Sequence, residues 1–308
     1  MKKIVVLMLI GAGIAALSMA FIRTRPASSP GSAHNGVRVV ASFYPAYFFA
    51  SRIGGANAVV VNITPAGIEP HDYEPTAREI THITKSDLLI LNGGNLESWG
   101  ERITKDLAGS RTVVVVAGDG LLNRDIEEDG RRIKDPHIWL SPPLAKQMVR
   151  RILQGFISID PSRAALYRAN AALVEERLDA LDIQYRQDLT TCARKNIVTS
   201  HAAFGYLADQ YGLRVVAISG ISPDEEPSIK KLAQITEFVK REGVTHIFFE
   251  SLVSPKLSKT IAGETGAATL VFDPLEGLSD ADAAAGEDYF SKMRANLYNL
   301  TVALQCKT

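Results

Sequence analysis

The 308-residue sequence has no excess of either charge: 34 Lys and Arg stand against 34 Asp and Glu. A balanced chain offers no electrostatic reason to expect nucleic acid or an anionic membrane surface as partner. Aromatic residues are sparse, and Gly and Pro are ordinary in number, so disorder is not expected beyond the N-terminal stretch. Several motifs are also missing. There is no G-x-S-x-G elbow, no H-E-x-x-H helix, no G-x-G-x-x-G fingerprint and no phosphate-binding loop, which removes the common nucleophile, zinc-protease and nucleotide signatures. No short zinc-finger spacing occurs either.

The N-terminus reads as an export signal. Lys2 and Lys3 precede an apolar run from Ile4 to Ile22, followed by Arg23 and Arg25. Ser18-Met19-Ala20 offers a small-x-small cleavage site, and the run is also long enough to remain as an uncleaved anchor; cleavage is the preferred reading. No Cys lies near this site, so a lipid-modified N-terminal cysteine is not expected. Residues 23–36 have the composition of a flexible tether. Export places the body in an oxidising compartment. There the only two cysteines, Cys192 and Cys306, are expected to form one disulfide rather than two free thiols.

The dominant stretch runs from Asp160 to Cys192. Asp160 is a candidate N-cap and Pro161 suits the first helical position. Leu166, Leu173, Val174, Leu178, Leu181, Tyr185 and Leu189 recur at helical spacing with no Gly or Pro between them. About 30 residues predict a rod of roughly 45 Å. Apolar strand runs alternate with helical patterns on both sides of it. The strands begin at Val37, Val59, Asp87 and Thr112 before it, and at Asn196, Arg214, His246 and Thr269 after it. Asp119–Asp135 is a polar loop. The predicted fold class is α/β: two doubly wound (β/α)4 lobes, 37–159 and 192–308, joined by one long rigid helix, 160–191, with a site in the inter-lobe cleft.

Of six histidines, three lie where that cleft should be. His71 follows the second strand in a Pro-rich loop, His137 follows the polar loop, and His201 directly follows the strand NIVTS. Asp273 ends the strand TLVF in the same manner. Three imidazoles and one carboxylate make a four-coordinate zinc site, whereas Mn²⁺ prefers a more oxygen-rich shell. The four residues are each more than sixty positions apart, so only a tertiary fold can assemble them. Nearby, Glu69, Asp72 and Glu74 could orient His71 or be solvated caps; Glu250 is expected to orient a ligand or to be a buried structural carboxylate, and Tyr44, Trp139 and Phe204 to form an apolar collar, Trp139 reading equally well as core.

The segments ASFYP, PHDYEPT, SDLLILNGGNLESW, DPHIWLSP, SHAAFGYLADQYGL and IFFESLVSPKLSKTIAGETG resemble those of the substrate-binding proteins of zinc and manganese ATP-binding-cassette importers. The resemblance covers residues 37–303. It implies two lobes on a rigid helical backbone and metal held between them as the transported ligand. It also implies delivery to a membrane permease with its ATPase, a periplasmic or otherwise extracytoplasmic location, and no enzymatic activity; we expect a monomer. Carried over by motif, the ligands are His71, His137, His201 and Asp273. Manganese-type members tend to have Glu where His201 stands, which favours Zn²⁺. The short 119–135 loop lacks the histidines typical of zinc-uptake members, which keeps Mn²⁺ open. The alternatives are a secreted zinc-dependent hydrolase, which needs an open coordination position for water, and a metal-stabilised adhesin.

Overall fold

The computed structural model describes residues 36–128 and 131–307. The predicted export signal and, apart from Gly36, the tether lie outside the described residues. Among those described, no helix is long and apolar enough to cross a membrane.

The chain before the long helix folds into β1 (Val37–Ala41), α1 (Tyr44–Gly54), β2 (Ala58–Asn62), α2 (Ala77–Thr84), β3 (Leu88–Leu91), α3 (Gly100–Asp106), β4 (Val113–Val116), β5 (Asp125–Glu128), β6 (Arg131–Lys134) and α4 (Pro142–Ile159). The long helix itself is α5 (Ala164–Thr190). Then follow β7 (Asn196–Thr199), α6 (Gly205–Tyr211), β8 (Arg214–Ala217), α7 (Ile229–Glu242), β9 (His246–Phe249), α8 (Lys256–Thr265), β10 (Ala268–Val271), α9 (Asp280–Ala284) and α10 (Tyr289–Ala303). Two all-parallel four-stranded sheets result, ordered β2-β1-β3-β4 and β10-β9-β7-β8. The α/β architecture expected from the alternating pattern is therefore present, with one sheet on each side of α5.

Strand alternation explains how both sheets are covered. Val39 and Ala41 of β1, and Ile197 of β7, enter one large core, while their neighbours Val40 and Val198 enter separate outer cores. The period of two along a strand sends successive side chains to opposite faces. The outer face of the first sheet is covered with Ile83 of α2 and Ile103 of α3, and that of the second with Ile235 and Phe238 of α7 and Ile261 of α8. The inner faces meet a common core that also contains Phe156 of α4, Leu181 of α5 and Leu300 of α10. The lobes thus share a packed interior, and interiors packed this densely resist large relative displacement.

Helix α5 buries Tyr167, Ala171, Val174, Leu178, Leu181, Tyr185 and Leu189, a stripe at steps of three and four. Leu166 and Leu173, placed on that face by the sequence reading, are instead 41% and 63% exposed. Tyr167 and Ala171 hold the inner positions because they continue the spacing set by Val174 and Leu178. The N-terminus also differs. A 3-10 turn at Pro161–Arg163 precedes the helix, and Asp160 makes no backbone cap. Its carboxylate accepts instead from Ser162 Oγ (2.6 Å), Arg163 Nη1 (2.6 Å) and Tyr167 Oη (2.8 Å). At the far end Cys192 and Cys306 form a disulfide across 114 residues, tying the end of α5 to the residues after α10.

Other features are local. Helix α2 starts at Ala77, where Thr76 and Glu79 form a reciprocal capping box. Helix α3 begins at Gly100, after a turn closed by the bond from Gly100 N to Glu97 O (3.0 Å). The loop at 119–135 contains the antiparallel hairpin β5–β6. Its strands, DIEE and RRIK, carry too few apolar residues for periodicity to reveal them.

Candidate metal centre

Four side chains converge where the strands of both sheets end. His71 projects from the loop after β2. Thr64 Oγ1 bonds to Ser42 O (2.6 Å) at one end of that loop, and Gly67 N bonds to Leu278 O (3.1 Å) across the cleft. Gly67 adopts a positive φ of 75°, a conformation suited to glycine. His71 N donates to Glu69 Oε1 (3.3 Å).

His137 is held from its own chain. Asp135 Oδ1 accepts from His137 N (3.0 Å) and lies 2.8 Å from its Nδ1. A carboxylate at Nδ1 puts the proton there and leaves the Nε2 lone pair free, as in carboxylate–histidine–zinc arrangements. Pro136 O accepts from Asn92 Nδ2 (2.9 Å). His201 follows β7 after one intervening residue and repeats the same device: its Nδ1 lies 2.6 Å from Oε1 of Glu250, which directly follows β9. Both rings are fully buried.

The fourth member is Glu276, not Asp273. Glu276 Oε1 lies 3.3 Å from His71 Nε2, 3.1 Å from His137 Nε2 and 3.3 Å from His201 Nε2. The Nε2 atom of His137 is 3.2 Å from that of His71 and 3.4 Å from that of His201. Asp273 is occupied elsewhere. Its Oδ2 pairs with Lys292 Nζ (2.8 Å) and accepts from Ser251 Oγ (2.5 Å), while its Oδ1 accepts from Leu275 N (2.8 Å). Asn296 clamps its backbone at both N and O (2.8 and 2.6 Å). Leu275, fully buried, takes a positive φ of 58°, a conformation that costs a non-glycine residue on the order of 1 kcal/mol. Between the clamped Asp273 and the left-handed Leu275, the chain turns and presents Glu276 to the imidazoles. The sequence reading chose the carboxylate at the strand end; the one that reaches the cluster is three residues on. A carboxyl beyond Pro274 in a loop at the cleft was the only available signal for it.

The electrostatics follow from this packing. Burial opposes charge on His201, but Glu250 and Glu276 outweigh it and hold its pKa well above the usual imidazole value. His137 is likewise raised: burial works against its charge, and hydrogen bonds to Asp135 and Glu276 prevail. For His71 burial prevails and lowers the value. Burial resists ionisation of Glu276, yet His201 and the hydrogen bonds from the three imidazoles hold it well below the carboxyl range. Glu69, in contrast, is pushed up to about 10 by burial and then by the charge of Glu276. Within the cluster, charge is thus favoured on His137, His201 and Glu276 and disfavoured on His71.

The remaining flanking residues sort by contact. Glu250 orients His201, as expected. Asp72 accepts from Ser222 Oγ (3.2 Å) of the other lobe, and Glu74 pairs with Arg102 (3.1 Å) on the surface. Trp139 packs against His137, with ring centroids 5.1 Å apart, and donates through Nε1 to Pro274 O (2.7 Å), so it also supports the Glu276 turn. Phe204 stacks on Phe272 at 3.8 Å. Tyr44 lies against Phe48 in the core.

The four donor atoms fit a small tetrahedral cation. Corners about 2.0–2.1 Å from a centre, as for Zn–N and Zn–O bonds, are separated by about 3.3–3.4 Å. Five of the six spacings are 3.1, 3.2, 3.3, 3.3 and 3.4 Å, and all four ligand atoms lie within 4.8 Å of one another.

Residues 39–303 match the family model described as the periplasmic component A of the zinc-uptake complex. The zinc-binding protein AdcA of Streptococcus pyogenes serotype M1 is 37% identical over 289 residues, covering 87% of this chain and 56% of that protein. The chain therefore spans little more than half the length of that relative. The high-affinity zinc uptake system protein ZnuA of Bacillus subtilis is 36% identical, covering 88% of this chain and 89% of that protein. Among solved structures, the Zn(II)-bound ZnuA-like domain of Streptococcus pneumoniae AdcA superimposes with a TM-score of 0.77 at 37% identity, covering 87% of this chain and 99% of that one. The laminin-binding protein Lmb of Streptococcus agalactiae, described as having adhesin and metal transporting activity, reaches 0.78 at 34% identity, with 87% and 99% covered. On this match, which extends from β1 to the end of α10, the chain belongs to the family of the periplasmic component A of zinc-uptake complexes.

Proposed function

We propose that this protein captures Zn²⁺ outside the cytoplasm and delivers it to the permease of an ATP-binding-cassette importer, with His71, His137, His201 and Glu276 as the four ligands. The observation that carries the reading is that five of the six distances among the three Nε2 atoms and Glu276 Oε1 are 3.1–3.4 Å, close to the edges of a zinc tetrahedron. Three nitrogens and one oxygen suit zinc better than manganese, which favours more oxygen donors. Carboxylates behind His137 and His201 raise the basicity of those ligands. Four protein ligands leave no vacant position for a zinc-bound water, which argues for carriage rather than hydrolysis. Asp273 has no part in coordination on this reading, because Lys292 and Ser251 take its oxygens.

The family, and relatives whose names speak of zinc uptake, support the transport role. Lmb, described as both adhesin and metal transporter, favours a second reading in which the loaded protein also binds an extracellular glycoprotein. Titration of chelator-treated protein tests the first reading directly. One equivalent of Zn²⁺ should bind, outcompeting Mn²⁺; no stoichiometric binding of either metal would refute it. A laminin-binding assay on the loaded protein tests the second.

A further inference from the structure

We propose that Arg124 is a positioning residue for zinc capture: from the N-terminal lobe it aligns the Asp135 carboxylate behind His137 and anchors that carboxylate to the C-terminal lobe through Asp209 and Tyr206. This inference rests on the ligand assignment above. Arg124 lies in the loop immediately before β5, and its bonds run to Asp135, Asp209 and Tyr206 rather than to a ligand.

The geometry is specific. Asp135 is fully buried and divides its two oxygens. Oδ1 faces His137, at 3.0 Å from N and 2.8 Å from Nδ1. Oδ2 faces the guanidinium, 3.3 Å from Arg124 Nε, an ion pair without hydrogen-bond alignment. The same guanidinium reaches Asp209 of α6 through Nη1. The backbones are locked as well. Asp135 N donates to Arg124 O (3.0 Å). Tyr206 of α6 donates through its hydroxyl to Asp135 O (3.1 Å) and accepts from Arg124 N (3.2 Å). Gly205 makes the approach possible, since a Cβ there would fall 2.1 Å from Arg124 Nε and 2.7 Å from Asp135 Oδ2. Helix α6 follows His201 by four residues, so one cation ties the holder of His137 to the element that follows His201.

The physical consequence concerns direction. A carboxylate with one oxygen unrestrained can rotate about its Cβ–Cγ bond, and the imidazole it holds can tilt with it. With Oδ2 fixed by a charge partner, Oδ1 keeps one orientation toward Nδ1, and Nε2 keeps one direction toward the other ligands. Outer partners of metal-bound histidine typically contribute about 10–100-fold in affinity.

The test uses the full chain with Zn²⁺ for affinity and Co²⁺ as a spectroscopic reporter of tetrahedral geometry. Arg124→Met should weaken zinc about 10–100-fold and alter the visible bands of the Co²⁺ form. Arg124→Lys, which keeps the charge near Oδ2, should recover most of the affinity. Asp209→Asn, which leaves the Asp135 contact intact, should lose less than Arg124→Met. The proposal is overturned if Arg124→Met binds zinc within about threefold of the parent, about 0.7 kcal/mol. It is also overturned if Arg124→Met and Arg124→Lys lose affinity equally with an unchanged cobalt spectrum, the pattern of a merely structural role. A parent protein that binds no zinc would instead refute the ligand assignment itself.

Discussion

Glu276 and Asp273 stand three residues apart and give opposite expectations on substitution. Structural four-ligand zinc sites have apparent binding free energies of about 10–16 kcal/mol, so one ligand of four carries roughly 2.5–4 kcal/mol, or roughly 10²–10³-fold in affinity. Glu276→Gln keeps the volume but removes the carboxylate that lies 3.1–3.3 Å from all three imidazole Nε2 atoms, and should weaken zinc by that amount. Asp273→Asn keeps an acceptor for Leu275 N and loses the ion pair to Lys292, a residue only 12% exposed. Breaking a partly buried charge pair should lower stability by roughly 1–3 kcal/mol, while zinc affinity changes by less than about tenfold. Competition against a chromophoric chelator gives the affinities, and urea denaturation of the metal-free proteins gives the stabilities. If Asp273→Asn lost as much affinity as Glu276→Gln while keeping its stability, Asp273 would be the ligand and the reasoning here would be wrong.

Three further outcomes are expected. His201→Glu replaces a nitrogen donor with an oxygen, so the zinc-over-manganese preference in a competition titration should fall by about tenfold or more; an unchanged ratio would remove His201 as the discriminating position. Replacing Cys192 and Cys306 with serine frees a 114-residue loop, and unfolding under non-reducing conditions should show a loss of about 2–5 kcal/mol. The pKa of Asp160 is lowered to about 2 by its bonds from Ser162, Arg163 and Tyr167, against the opposing effect of burial. Its stabilisation is therefore complete above the unfolded value near 3.8 and is lost as pH falls through about 2. Asp160→Asn should cost about 1–2 kcal/mol at pH 7, allowing for solvent screening at Arg163. The gap should narrow below about pH 4 in denaturation curves, and a gap constant with pH would contradict the charge assignment.

Much of this architecture was legible because local chemistry decides it. Unbroken Val, Ile and Leu runs gave the eight parallel strands, and an uninterrupted stretch at helical spacing gave α5. Failures occurred where the local signal was weak or degenerate. Leu166 and Leu173 are apolar but lie out of phase with Leu178, whereas Tyr167, Ala171, Val174 and Leu178 step by three and four, and the neighbouring helices α1, α4 and α10 pack on that face. The β5–β6 hairpin has one isoleucine in each otherwise charged strand and escapes a reading based on apolar alternation.

By itself the sequence determined that the chain is an alternating α/β protein around a long helix, and that His71, His137 and His201 sit in loops at strand ends. Those properties depend on side-chain period and on breakers within a few residues. Only the tertiary structure decided which carboxylate completes the cluster. Lys292 and Asn296 reach Asp273 from α10, and Leu275 bends the chain into a left-handed turn. Contacts between residues some twenty positions apart thus neutralise one acid and aim the other. No local pattern around Pro274 records that choice, because it is made by the charge and packing of a helix that arrives later in the chain.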